Sequence, residues 1–202
     1  MSFVTGTAME LLYVNTAVGA SLNTFTAEAQ LNTTGTMGVQ AHIPPDFWLP
    51  NNTSVGRGIR VQARGTLAST GTPTYTFTVR GGASPNTTTA ILAGTGAMTT
   101  NSTQVTCVWD LVVDCVLKTI GGAGTATSTL FSQGAFGCAG LAANTNQSVQ
   151  GGLTTAGTLV TPGTVATLDT SIVNYINFNV ACSASSASNI VVLNQLLVFG
   201  LN

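Results

Sequence analysis

Charge is what this chain lacks most. Lys, Arg, Asp and Glu together make up 5% of its 202 residues, against roughly 25% in an ordinary globular domain. Five basic and six acidic side chains nearly cancel, leaving a formal net charge of -1. That excludes the basic excess on which nucleic-acid binding depends. Apolar content is 44%, so Thr, Gly, Ser, Asn and Ala replace the missing charges while the material for a core is kept. Disorder, which joins low hydrophobicity to high net charge, is therefore not expected. A surface this neutral has little repulsion to hold copies apart, as suits a protein covered by partners or by copies of itself.

Other absences narrow the function further. No run of 18 apolar residues exists, and the most apolar stretch, Ile190 to Leu201, is broken by Asn194 and Gln195, so no membrane span is expected. The start, MSFVTGTAMELLYVN, lacks the basic opening and long apolar run of a secretory signal, which predicts assembly in a cytoplasm. The chain has four cysteines and one histidine and no CxxC pair, so it lacks a ligand set for structural zinc, and neither metal nor cofactor is expected. Cys107, Cys115, Cys138 and Cys182 read as buried, reduced thiols acting as small apolar fillers.

No catalytic constellation is present either. His42 has Asp46 nearby in QAHIPPDFWLPNN, but Pro44-Pro45 hold the segment extended and separate the two side chains. No GxSxG elbow supplies a nucleophile. Asp110 and Asp114 lie about 13 Å apart along one strand, too far for a glycosidase pair. The chain reads as a non-enzyme.

What is there is alternation. In PTYTFTVRGG, Tyr75, Phe77 and Val79 point one way and the threonines with Arg80 the other. In TCVWDLVVDCVLK the set Cys107, Trp109, Leu111, Val113, Cys115 and Leu117 is wholly inward-looking. Ile176, Phe178, Val180 and Cys182 repeat the pattern. The last strand, NIVVLNQLLVFGLN, is apolar on both faces, as expected if the core covers one and a neighbour the other. Turn clusters such as STGTP and RGGASPN separate these runs. The pattern predicts an all-β antiparallel sandwich of about nine to eleven short strands in one domain. Thr70, Gly71 and Pro73 predict a hairpin joining the arginine-bearing strand to the Tyr75 strand. Residues 1–40 read as N-terminal strands or an arm ahead of the main domain at 41–202.

The few cations cluster. Arg57, Arg60 and Arg64 fall within GRGIRVQARG, and Arg80 follows. Residues two apart on a strand share a face, so Arg60 and Arg64 project together, with the same spacing as Asp110 and Asp114. If the strands are neighbours, these four form a cross-strand charge ladder. Arg57 and Arg80 are instead candidates to face a partner. Phe47 and Trp48, between prolines in IPPDFWLP, read as a plug in the core or a subunit interface, and join the candidate contact residues.

The succession of IPPDFWLP, GRGIRVQARGTLASTGTPTYTFTVRGG and VTCVWDLVVDCVLKTIGG resembles the jelly-roll structural proteins that decorate the capsids of tailed bacteriophages. The matching positions are Ile43 and Phe47, Gly58 to Gly65, Thr72 to Arg80, Trp109 with Lys118-Thr119, and Asn189 to Asn202. The resemblance covers residues 40 to 202 and rests on strand and turn patterns, with no reactive residue among them. It implies a homotrimer on the capsid exterior that contacts the major capsid protein and stabilises the mature shell. A phage tail fibre, baseplate or receptor-binding module is the alternative, because jelly rolls serve there too.

Overall fold

The structure, a computed structural model, describes residues 9–33, 40–45, 47–48, 57–85, 90–102, 106–141, 147–150 and 165–201. Among them there is no helix. In chain order the strands are β1 (Glu10–Asn15), β2 (Ala29–Gln30), β3 (His42–Ile43), β4 (Gly58–Ala68), β5 (Thr74–Gly82), β6 (Ala90–Gly94) and β7 (Met98–Thr99). There follow β8 (Cys107–Thr119), β9 (Ser128–Cys138), β10 (Gln147–Gln150), β11 (Val165–Leu168), β12 (Asn174–Cys182) and β13 (Ile190–Leu201). These thirteen strands exceed the predicted nine to eleven partly because β2, β3 and β7 are two residues long. A strand that short shows no period.

Every ladder is antiparallel, and the strands pack as a sandwich. One layer runs β1-β13-β4-β8-β9 and the other β6-β5-β12-β2, with β3 and β7 paired to β12 and β5. Strand β10 lies on β9 and touches β6 through the single pair Gln150–Gly94, which joins the layers along one side. On the other side, the segment after β1 follows β13, where Leu22 and Val191 exchange backbone hydrogen bonds. It then crosses to β12, where Leu31 donates to the Phe178 carbonyl.

The inward sets foreseen from alternation meet between the layers. Ile59, Val61 and Ala63 of β4 and Leu111 and Val113 of β8 are buried against Phe77, Val79, Ile176 and Phe178 from the opposite layer. At the centre Trp109 stacks on Phe178 at 5.4 Å between centroids and tilts against Phe77 at 5.1 Å. Gly65 is required beside it, because a Cβ there would sit 2.5 Å from the indole ring and 1.9 Å from the Val192 carbonyl.

The expected hairpin between the arginine strand and the Tyr75 strand does not form. Strand β4 pairs with β13 and β8, while β5 pairs with β12, β6 and β7. The connection through Gly71, whose φ is +73°, is an arch that carries the chain from one layer to the other. Asn189 holds it, its Oδ1 accepting from the Thr70 N–H at 3.0 Å. Both strands bring a full apolar face, and such faces are buried by lying opposite each other. Period-two patterning is the same for a hairpin and an arch.

Within residues 1–40, β1 and β2 join the layers of their own chain, on β13 and β12.

Candidate interaction surface

Because β4 and β8 are neighbours with Arg60 opposite Asp114 and Arg64 opposite Asp110, all four charges lie on the outer face of the five-stranded layer. Arg60 grips Asp114 with both ends of its fork, Nε to Oδ1 at 2.6 Å and Nη2 to Oδ2 at 2.7 Å. That hydrogen-bonded carboxylate raises the Arg60 pKa, against a smaller effect of burial. Both side chains remain about a third exposed, at 33% and 35%, so the pair is worth about 1 kcal/mol or less and serves mainly to hold strand register. Arg64 and Asp110 face each other in register, both exposed, without forming an ion pair.

Around these charges the face is aliphatic. Val108 is 70% exposed, Val14 54% and Leu11 52%. The ladder registers align Val116 with Phe131, Phe199 with Leu11, and Leu197 with Val14 on this side of the layer. The outward half of β13 (Leu197, Phe199 and Leu201) is only half-buried. Alternation puts these side chains outside because the even-numbered positions of β8 and odd-numbered positions of β9 point away from Trp109.

The other candidate contact residues sit elsewhere. Trp48 is completely buried and Phe47 nearly so, their rings edge-on at 5.8 Å. This is the plug in the core, one of the two placements expected for the pair, and it leaves Trp48 no surface and Phe47 little to offer a partner. Arg57 lies with its guanidinium 5.2 Å from the centre of the Phe47 ring. Its backbone ties the plug to β8, taking a hydrogen bond from Leu117 and giving one to Trp48. His42 is exposed, with Nδ1 at 3.2 Å from the Gln40 carbonyl; Asp46 lies outside the described residues.

Arg80 is held by Glu28, which sequence reasoning missed. Arg80 Nε lies 2.7 Å from Glu28 Oε1, and its Nη2 and the Thr78 hydroxyl also bond that carboxylate. Nothing local marks Glu28, which lies in the crossing segment 52 residues away. Burial pushes the Glu28 pKa up, but hydrogen bonds from Arg80 and Thr78 and the Arg80 charge outweigh it and leave the pKa lowered. A lowered carboxylate stabilises the folded state above its ordinary pKa of 4.5 and loses that contribution as pH falls below it. The thermal midpoint is therefore expected to drop on acidification from pH 4.5 downward, and Glu28→Gln to flatten that part of the profile. A Glu28→Gln profile parallel to that of the wild type would refute the assignment.

Beside this pair, on the outer face of the smaller layer, is an open groove of about 520 Å³. It is lined by Thr74, Thr76 and Thr78 of β5 with Glu28, Arg80 and Ile91. Among the described residues no three metal-ligating side chains gather.

All four cysteines are free thiols. Cys107, Cys115 and Cys182 are buried as expected, but Cys138 is partly exposed. Burial pushes the Cys115 thiol up to about 12. The sulfurs of Cys107 and Cys138 approach to 3.0 Å. Cys138 ends a Gly-rich strand whose inward positions, Leu130, Ser132, Gly134 and Phe136, are the signal that pairs it with the Cys107 strand.

No protein-family model, curated protein or solved structure matches the chain.

Proposed function

We propose that this chain is a non-enzymatic virion structural protein, a jelly-roll capsid decoration protein that binds the outside of a mature phage shell as a homotrimer. The observation that carries the reading is the outer face of the β1-β13-β4-β8-β9 layer. It is broad, aliphatic and bears one closed ion pair, in a chain with 5% charged residues. Exposed apolar patches rimmed by polar groups mark protein contacts. Arg64 and Asp110, opposite in sign and unpaired on this face, suit it to sister subunits.

The jelly-roll reading draws on nested pairing. Among β1, β2, β4, β5, β6, β8, β12 and β13, the first pairs with the last, the second with the seventh, the third with the sixth, and the fourth with the fifth. That is one long hairpin rolled into two layers, with the two-residue β3 and β7 in connections and β9, β10 and β11 inserted before the seventh strand. Decoration would act by mass action: a trimer that binds only the expanded shell stabilises that state by its binding free energy. The groove beside Glu28 and Arg80 is the observation behind the second reading, a phage tail fibre, baseplate or receptor-binding module.

The experiment is co-sedimentation with expanded shells lacking the protein and with unexpanded proshells, after light scattering has measured its oligomeric state. Saturable binding to expanded shells, in whole trimers, is expected. Val108→Glu should weaken trimer formation roughly ten-fold or more with the fold intact, because it buries a charge in the contact. Absence of binding to either shell would put the tail module first.

A further inference from the structure

We infer that Cys107 and Cys138 form a cross-strand dithiol that closes into a disulfide by exchange with an oxidised low-molecular-weight disulfide. Their sulfurs are 3.0 Å apart, so closure to a bond of about 2.05 Å requires an approach of roughly 1 Å. They belong to adjacent strands, and in the β8–β9 ladder Cys138 stands opposite Trp109, two residues from Cys107.

Access is one-sided. Cys138 is partly exposed while Cys107 is 8% exposed, so an external disulfide reaches Cys138 first. The surroundings support this order. The hydrogen bond from Cys107 lowers the Cys138 pKa, helped by the Gly140 N–H, against burial and the charge of Asp110. The Cys107 thiol is raised by its hydrogen bond with Cys138 and by burial. Cys138 is the attacking thiolate and Cys107 resolves.

In the first step the Cys138 thiolate attacks one sulfur of the external disulfide. A mixed disulfide forms, and the departing thiolate takes up the proton that Cys138 released. In the second, Cys107 gives up its proton and attacks the Cys138 sulfur, expelling the other thiolate, which is protonated in turn. Two protein thiols are oxidised and one external disulfide is reduced to two thiols.

The position gives the bond a consequence. The turn after Cys138 is bound to the end of β7: Asn101 donates to the Gly140 carbonyl, and Thr100 pairs with Leu141. A bond at Cys138 therefore fastens β8 to the seam between the two layers. The inference goes beyond the decoration reading and stands if that reading fails.

The test incubates the native full chain with oxidised glutathione and maps peptides by mass spectrometry without reduction. The expected product links Cys107 to Cys138 and leaves Cys115 and Cys182 free. Closing a loop of this length should raise the thermal midpoint by roughly 5–15 °C over the reduced protein. In Cys107→Ser the reaction should stop at a glutathione adduct on Cys138, whereas Cys138→Ser should leave Cys107 unmodified. Four free thiols persisting in the native protein, while the denatured chain reacts, would overturn the inference. So would a cross-link between any other pair, or an equal rate of adduct formation on Cys107 in Cys138→Ser.

Discussion

Trp109→Ala is expected to destabilise the protein by about 3–5 kcal/mol, a large share of a typical domain's stability. The indole meets aromatics from three other strands: Phe77 of β5, Phe136 of β9 and Phe178 of β12. Its Nε1–H donates to the Thr66 carbonyl at 3.1 Å, so the ring lies across its own neighbour strand, over Gly65. Truncation would leave a cavity that the glycine cannot help fill. Trp109→Phe keeps part of the stack and should cost less. Urea unfolding followed by far-UV circular dichroism measures both. A loss below about 1 kcal/mol for the alanine variant would mean that the two layers are held together elsewhere.

Asn32→Ala should cost about 2–4 kcal/mol, although it deletes only a small polar group. Strand β12 has one edge covered by two fragments, β2 and β3, with a gap between them. Asn32 fills the gap with its side chain. Nδ2 donates to the Ile176 carbonyl at 2.9 Å, and Oδ1 accepts from the Phe178 N–H at 2.8 Å. The amide thus stands in for a strand residue, and at 2% exposure it has no water to replace it. Removing it leaves two buried backbone groups unpaired, at roughly 1–3 kcal/mol each. Amide exchange at Phe178 should accelerate more than exchange at Val113, in the opposite layer. Equal acceleration at the two would show that the substitution acts on global stability alone.

How much of this was legible can be judged from particular residues. The adjacency of β4 and β8 was written in the matched spacing of Arg60/Arg64 and Asp110/Asp114, because a strand repeats every two residues. Only one rung closes as an ion pair, since register decides which Cα atoms are opposite and rotamers decide the rest. The inward face of Trp109 was equally plain. Whether the turn at Gly71 made a hairpin or an arch was not, because the two differ in what the flanking strands face and not in their period. Asn32, Gln30 and Gln40 were invisible: Gln30 and Gln40 both donate to Asn177 Oδ1, a convergence of residues up to 147 apart in the chain. The aliphatic outer face was half legible. Strand β13 was apolar on both sides, but the exposure of Val108 and Leu11 depends on which strands end at the layer's margin.

The placement of β13 has a consequence for synthesis. It lies between β1 and β4, and β12 lies between β5 and the β2–β3 edge. Two strands made after all their partners are thus interior members of both layers. Until they arrive, β1 has no partner on its β13 side, β4 keeps an open edge, and Trp109 lacks Phe178. Such non-local pairing folds on the slow, millisecond-to-second scale. The nascent chain must carry exposed apolar strands, with almost no charge to keep copies apart, until β12 and β13 are made.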